Sequence, residues 1–172
     1  MELRETILQE HSVAQRDLIV QWVGREQQRF DELFEYMLSS DVTLAQRASW
    51  AVSNCAEAQP QLVRKHLKQL IKVLQQTAVH DAVLRNSARV LSQLTAPANL
   101  HGMLMDACFK LVEKPSTSIA VKAFSLEILG KLAATYPDIA PEIKLLIASM
   151  ENNASPGIKS KCRQVSKMLS LL

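Results

Sequence analysis

Prolines recur along this chain at an interval that suits a repeated helical unit. Pro60, Pro97 and Pro137 each close a long helix-patterned stretch, and the stretches are of nearly equal length. Pro115 and Pro156 form a second series at almost the same interval, each between two helical segments. Proline cannot continue a helix, and it drives the residue before it away from the αR region. Regular breaks of this kind, with a further break inside the unit, predict a helical hairpin repeated in tandem.

The segments between the breaks carry the helix period. Val63, Leu67, Leu70, Ile71 and Leu74 form one apolar stripe, with Arg64, Lys68 and Lys72 on the opposite face. Leu84, Ala88, Leu91 and Leu94 or Thr95 form the next stripe, behind Asp81 as its expected N-cap. Asp41 or Thr43 is expected to start the helix of Leu44, Ala48, Ala51, Val52 and Cys55. Thr117 or Ser118 is expected to start that of Ile119, Ala123, Leu126, Leu129 and Leu132. Ile158, Cys162, Val165, Met168 and Leu172 form a last stripe. Alternating β-branched runs are lacking, so no strands are expected. Ser49, Ser87 and Ser125 succeed one another at a single fixed interval, and Leu67 with Leu104 and Leu74 with Leu111 at one position less. Gly130, Ala133, Ala134, Ala48, Ala51 and Ala88 suit the close crossings such a stack needs, although helix propensity alone also favours alanine.

At 172 residues, 48% hydrophobic and 22% charged, the chain is too apolar to remain disordered. Four glycines are too few for a phosphate-cradling loop. The net charge of +3 conceals an asymmetry. Residues 1–60 hold five Lys and Arg against ten Asp and Glu, and residues 61–172 hold fifteen against seven. Such a field attracts an acidic partner or reflects drift of surface charge. Cys55, Cys108 and Cys162 lie far apart among apolar neighbours and read as core fillers, which suits a reducing cytoplasm. No signal peptide or membrane span is expected. Asn153-Ala154-Ser155 fits the glycosylation pattern, which without export is chance.

The unit length, the two helices per unit and the internal break resemble the HEAT-repeat family, with the armadillo class as its neighbour. Asp41 followed by Arg47 resembles the Asp and Arg that HEAT units place at the turn and early second helix. Arg85 stands one repeat after Arg47, with Asp81 a single helical turn before it. Lys122 falls near the third equivalent position without a preceding Asp. The resemblance implies an all-α, right-handed α-α superhelix of about four to five HEAT-like hairpins. It implies one repeat domain over 1–172, with 1–29 as an irregular N-terminal cap and repeats at 30–60, 61–97, 98–137 and 138–172. One hairpin cannot cover its own apolar face, so neighbours must stack.

Chemistry is harder to find. His11, His66, His80 and His101 are each alone and read as surface histidines, and no metal ligand set, nucleophile elbow or nucleotide loop is present. The expectation is a non-catalytic scaffold without metal or cofactor. Its concave groove, lined by Arg47, Arg85, Arg89, Lys122, Lys161 and Arg163, would receive an acidic or helical segment of another protein. The alternative is a nucleic-acid-binding HEAT-like protein related to alkylpurine DNA glycosylases, in which the same row neutralises phosphates. Aromatic residues are only 5%, a poor supply of stacking platforms for bases. Weak self-association through the oppositely charged ends is a third outcome. Trp22 and Trp50 are expected to pack between hairpins, or else to anchor a peptide. Arg64, Lys65, Lys68 and Lys72 make a solvated face, or dock an acidic segment or the acidic end of a second copy.

Overall fold

Each proline of the first series stands a few residues past the end of a helix and opens a 3₁₀ turn that leads into the next helix. A computed structural model describes residues 1–151 and 155–171. Asn153 and Ala154 of the glycosylation triplet, and Leu172 of the last stripe, lie outside the described residues. The described chain contains ten α-helices and no strand.

It divides into two compact units, Met1–Leu94 and Thr95–Leu172. The first contains α1 (Leu3–Gln9), α2 (Val13–Val23), α3 (Gln27–Met37), α4 (Val42–Ala58), α5 (Leu67–Leu74) and α6 (Asp81–Gln93). Helices α3–α4 and α5–α6 are hairpins, and the second helices stack as a row, α2 on α4 on α6. The second unit contains α7 (His101–Glu113), α8 (Ile119–Ala133), α9 (Ala140–Glu151) and α10 (Pro156–Leu169). There α7–α8 and α9–α10 are the hairpins, and α10 lies on α8.

Local chemistry sets the helix ends. Asp41 caps α4 by accepting a hydrogen bond from the Leu44 amide, and Ser155 caps α10 through the Ile158 amide. Ser12 does the same for α2 through Gln15. Gly24 stops α2 at a positive φ of 52°, where its N–H reaches the Val20 carbonyl and a Cβ would be strained. Two expectations shift. The N-cap of α6 is His80, whose Nδ1 accepts from the Ala82 amide, with Asp81 moved to the first helical position. There Asp81 still favours the positive end of the helix dipole. The stripe from Val63 to Leu74 begins in a 3₁₀ turn, Pro60–His66, and becomes α-helical only at Leu67.

The apolar stripes form most of the core, although Leu84 and Leu94 of the α6 stripe are half-buried and Ile119, at the start of α8, is exposed. Leu44, Ala48, Ala51, Val52 and Cys55 of α4 are buried, as are Leu67, Leu70, Ile71 and Leu74 of α5. On α10 the buried set is Ile158, Cys162, Val165 and Leu169, with Met168 half-exposed beside them. Ser49, Ser87 and Ser125 are all fully buried, as one repeated position should be. The Ser49 hydroxyl donates to the Gln46 carbonyl and accepts from Asn86 Nδ2 at 2.9 Å, so α4 and α6 approach closely without an unpaired polar atom there.

Polar bonds between hairpins also keep the repeat spacing. Lys65 bonds Asp31, and Lys161 bonds Glu127, each 34 residues apart; His101 meets the Tyr136 hydroxyl across 35. Asp31 is the most heavily used. Its carboxylate takes Lys65 Nζ at 2.5 Å, His66 Nε2 at 2.7 Å and Gln27 Nε2 at 2.9 Å. Burial tends to raise this carboxyl, but the bonds from Lys65, Gln27 and His66 outweigh it and hold it at about 2, against an ordinary 3.8. A depressed carboxyl stabilises the fold above the unfolded value and loses that contribution as pH falls toward 2. Allowing for partial exposure, about 1–2 kcal/mol should disappear between pH 4 and pH 2. Urea unfolding across that window should show the slope in the native chain and a flatter one in Asp31→Asn.

Candidate interaction surface

All six basic residues expected to line a groove sit on second helices, three in each unit, and three of the six are already engaged within their own unit. Arg47 of α4 turns inward and donates to the Leu8 carbonyl at 2.7 Å and the Ile7 carbonyl at 3.3 Å. Its charge is spent on the C-terminal end of α1, where the helix dipole is negative. Asp41, its expected ladder partner, instead caps α4 and meets Arg4 at 3.4 Å. Arg89 of α6 pairs with Glu57 of α4 at 2.5 Å.

In the second unit Lys161 of α10 joins Lys131 on the Glu127 carboxylate of α8, at 2.7 and 3.0 Å. Burial works to raise Glu127, and the two lysines more than offset it, so its carboxyl lies below the usual range. Lys122 borders a recess of about 520 Å³ among Val112, Thr117, Ile119, Leu146 and Ile158. Arg163 of α10 is exposed. Arg85 is also exposed, with Asp81 at 3.9 Å, beyond hydrogen-bond reach.

The most developed feature of the second-helix face is in the first unit and centres on Trp50. Neither tryptophan is buried; each is half-buried beneath an arginine. Arg29 lies 4.9 Å from the Trp22 ring and Arg16 4.7 Å from the Trp50 ring. A buried position fails for Trp50 because it lies one residue off the Ala48, Ala51, Cys55 stripe, about 100° around the helix. Its neighbours one turn away, Gln46 and Asn54, are polar, and that is the sequence signal for a surface site. His11, from the α1–α2 link, stands edge-on to Trp50 at 5.3 Å. His11, Gln46, Trp50, Ala82, Arg85 and Asn86 together enclose a recess of about 250 Å³. Nothing in the sequence places His11 there.

Two other histidines are structural rather than superficial. His66 stacks on Phe34 at 4.1 Å, and His101 spans the Ala96 carbonyl and Tyr136. Arg64, Lys68 and Lys72 are exposed, and Lys65 is held by Asp31. The three cysteines are buried as expected. Burial pushes the Cys55 thiol up to about 12, and Cys108, beside the Ser125 hydroxyl, likewise to about 12. Such thiols are poor nucleophiles at neutral pH. Among the described residues no three His, Cys, Asp or Glu side chains are grouped to hold a metal ion, and no helix is long and apolar enough to cross a membrane.

A family model described as a HEAT repeat domain matches residues 3–169. No curated protein and no solved structure matches the chain.

Proposed function

Because the chain belongs to the HEAT repeat family, whose repeats are generally protein-interaction scaffolds and generally non-catalytic, we propose that it binds another protein along its second helices. The face formed by α4 and α6 is the principal contact. The observation that carries this reading is the half-buried Trp50 with the exposed Arg85 beside it. Tryptophan and arginine dominate the energetics of protein interfaces.

No catalysis is part of this role. The hydroxyls of Ser49, Ser53, Ser87 and Ser125 and the thiols of Cys55 and Cys108 are sealed inside the core, out of reach of a substrate. Three buried cysteines suit a reducing compartment, and we place the protein in the cytoplasm. The partitioning of the basic side chains favours a protein over a nucleic acid. Arg47, Arg89 and Lys161 are already engaged by carbonyls or carboxylates, so half of the six-residue basic row is spent before it could meet a phosphate backbone.

The test uses a partner captured from native extract with the full chain. Changing Arg85→Glu together with Arg89→Glu should weaken its binding at least tenfold, with the helical circular dichroism unchanged. Unaltered affinity would remove the α4–α6 face as the contact.

A further inference from the structure

The recess around Trp50 has an excess of hydrogen-bond donors. The indole N–H of Trp50 makes no hydrogen bond among the described residues, nor does the Gln46 side-chain amide. The Arg85 guanidinium has its nearest carboxylate, Asp81, at 3.9 Å. His11 supplies a ring nitrogen that donates or accepts according to its tautomer. Asn86 contributes least, since its Nδ2 is spent on Ser49. No carboxylate lines the recess: among its residues only Asn86, Gln46 and His11 carry a side-chain acceptor, and Asp81 stays outside the lining.

Size narrows the occupant further. About 250 Å³ is below the roughly 300–1,000 Å³ of pockets that hold whole small molecules, and is suited to one amino-acid side chain. The lining is mostly apolar, with the Trp50 ring and Ala82 among its residues. The ring is immobilised by Arg16 on its face, itself tied to Asp17 at 2.7 Å, and by His11 at its edge. A rigid ring beside unused donors is a preorganised receptor, so little ordering cost is paid on binding.

We propose that this recess receives the side chain of a glutamate from the partner protein. Its methylenes lie on Trp50, and its carboxylate takes the Arg85 guanidinium with the indole N–H or the Gln46 amide. The proposal rests on the α4–α6 face being the partner face and specifies what that face reads. An arginine fork favours a carboxylate over a neutral amide because charge-assisted bonds are the stronger and the geometry is bidentate.

The indole N–H resonance of Trp50 is the natural probe, with Trp22→Phe used to assign it. The full-length ¹⁵N-labelled chain is titrated with acetyl-Ala-Glu-Ala-amide, and separately with the Gln and Lys counterparts. The Glu peptide should move the Trp50 indole peak saturably, with at least fivefold weaker response from the Gln peptide and none from the Lys peptide. Arg85→Gln, which adds no negative charge, should reduce the Glu response at least fivefold. A Trp50 peak unmoved by the Glu peptide at 50 mM, or moved equally by the Gln peptide, overturns the proposal. If that happens while the captured partner still depends on Arg85 and Arg89, the face is right and its chemistry is not carboxylate recognition. If both fail, the face itself is wrong.

Discussion

Phe34→Ala should lower the unfolding free energy by about 3–5 kcal/mol, the usual range for deleting a buried aromatic ring. Phe34 is 2% exposed on α3, beside Leu33 and Met37, which are equally buried. Its ring stacks on His66 at 4.1 Å, and Phe30 lies 6.2 Å away. Removing it opens a void and also frees the imidazole that bonds Asp31. The Asp31 cluster ties α3 to the turn entering α5, so part of the loss should come through that cluster. Phe34→Leu fills most of the void but offers no face for His66, and should cost less. Urea unfolding of both variants separates packing from stacking. A loss below about 1 kcal/mol for the alanine variant would mean that α3 is not seated on its neighbours as described.

Gly130→Leu should cost about 1–3 kcal/mol through overpacking. A Cβ at this position of α8 would lie 3.0 Å from Val165 Cγ1 and 3.4 Å from Met168 Cε on α10. Valine is stiff at χ1 and cannot swing aside as a longer side chain would. Gly130→Ala is the instructive control. It gains about 1 kcal/mol of helix propensity and meets the same valine, so its net effect should be small. Combining Gly130→Leu with Val165→Ala should recover part of the loss. Two independent, additive losses would show that the two side chains do not share one crossing.

The repeat was legible because it rests on the most robust signals a chain carries, proline breaks and the helix period. Ser49, Ser87 and Ser125 make the point: a small polar residue at the same place in successive units, each fully buried on a second helix. Gly130 was legible for the same reason. Helix ends were less so, because His80 and Asp81 are both competent caps and the choice depends on the incoming backbone. The candidate site was legible only in part. Arg85 stands open, but Arg47, Arg89 and Lys161 each found a partner far back in the chain, on another helix. A sequence shows charge without showing what lies across the crossing. Pairing each basic residue with acids about one repeat upstream would have caught Glu57 for Arg89 and Glu127 for Lys161. It would not have caught Arg47, whose partners are backbone carbonyls.

Hydrogen exchange on the full chain, alone and with its captured partner, tests most directly the claim that the second helices of the first unit carry the contact. Amides of α4 from Gln46 to Glu57 and of α6 from Ala82 to Gln93 should slow at least tenfold in the complex, and those of α3 and α5 should keep their rates. Slowing confined to α3 and α5, with α4 and α6 unchanged, would contradict the account.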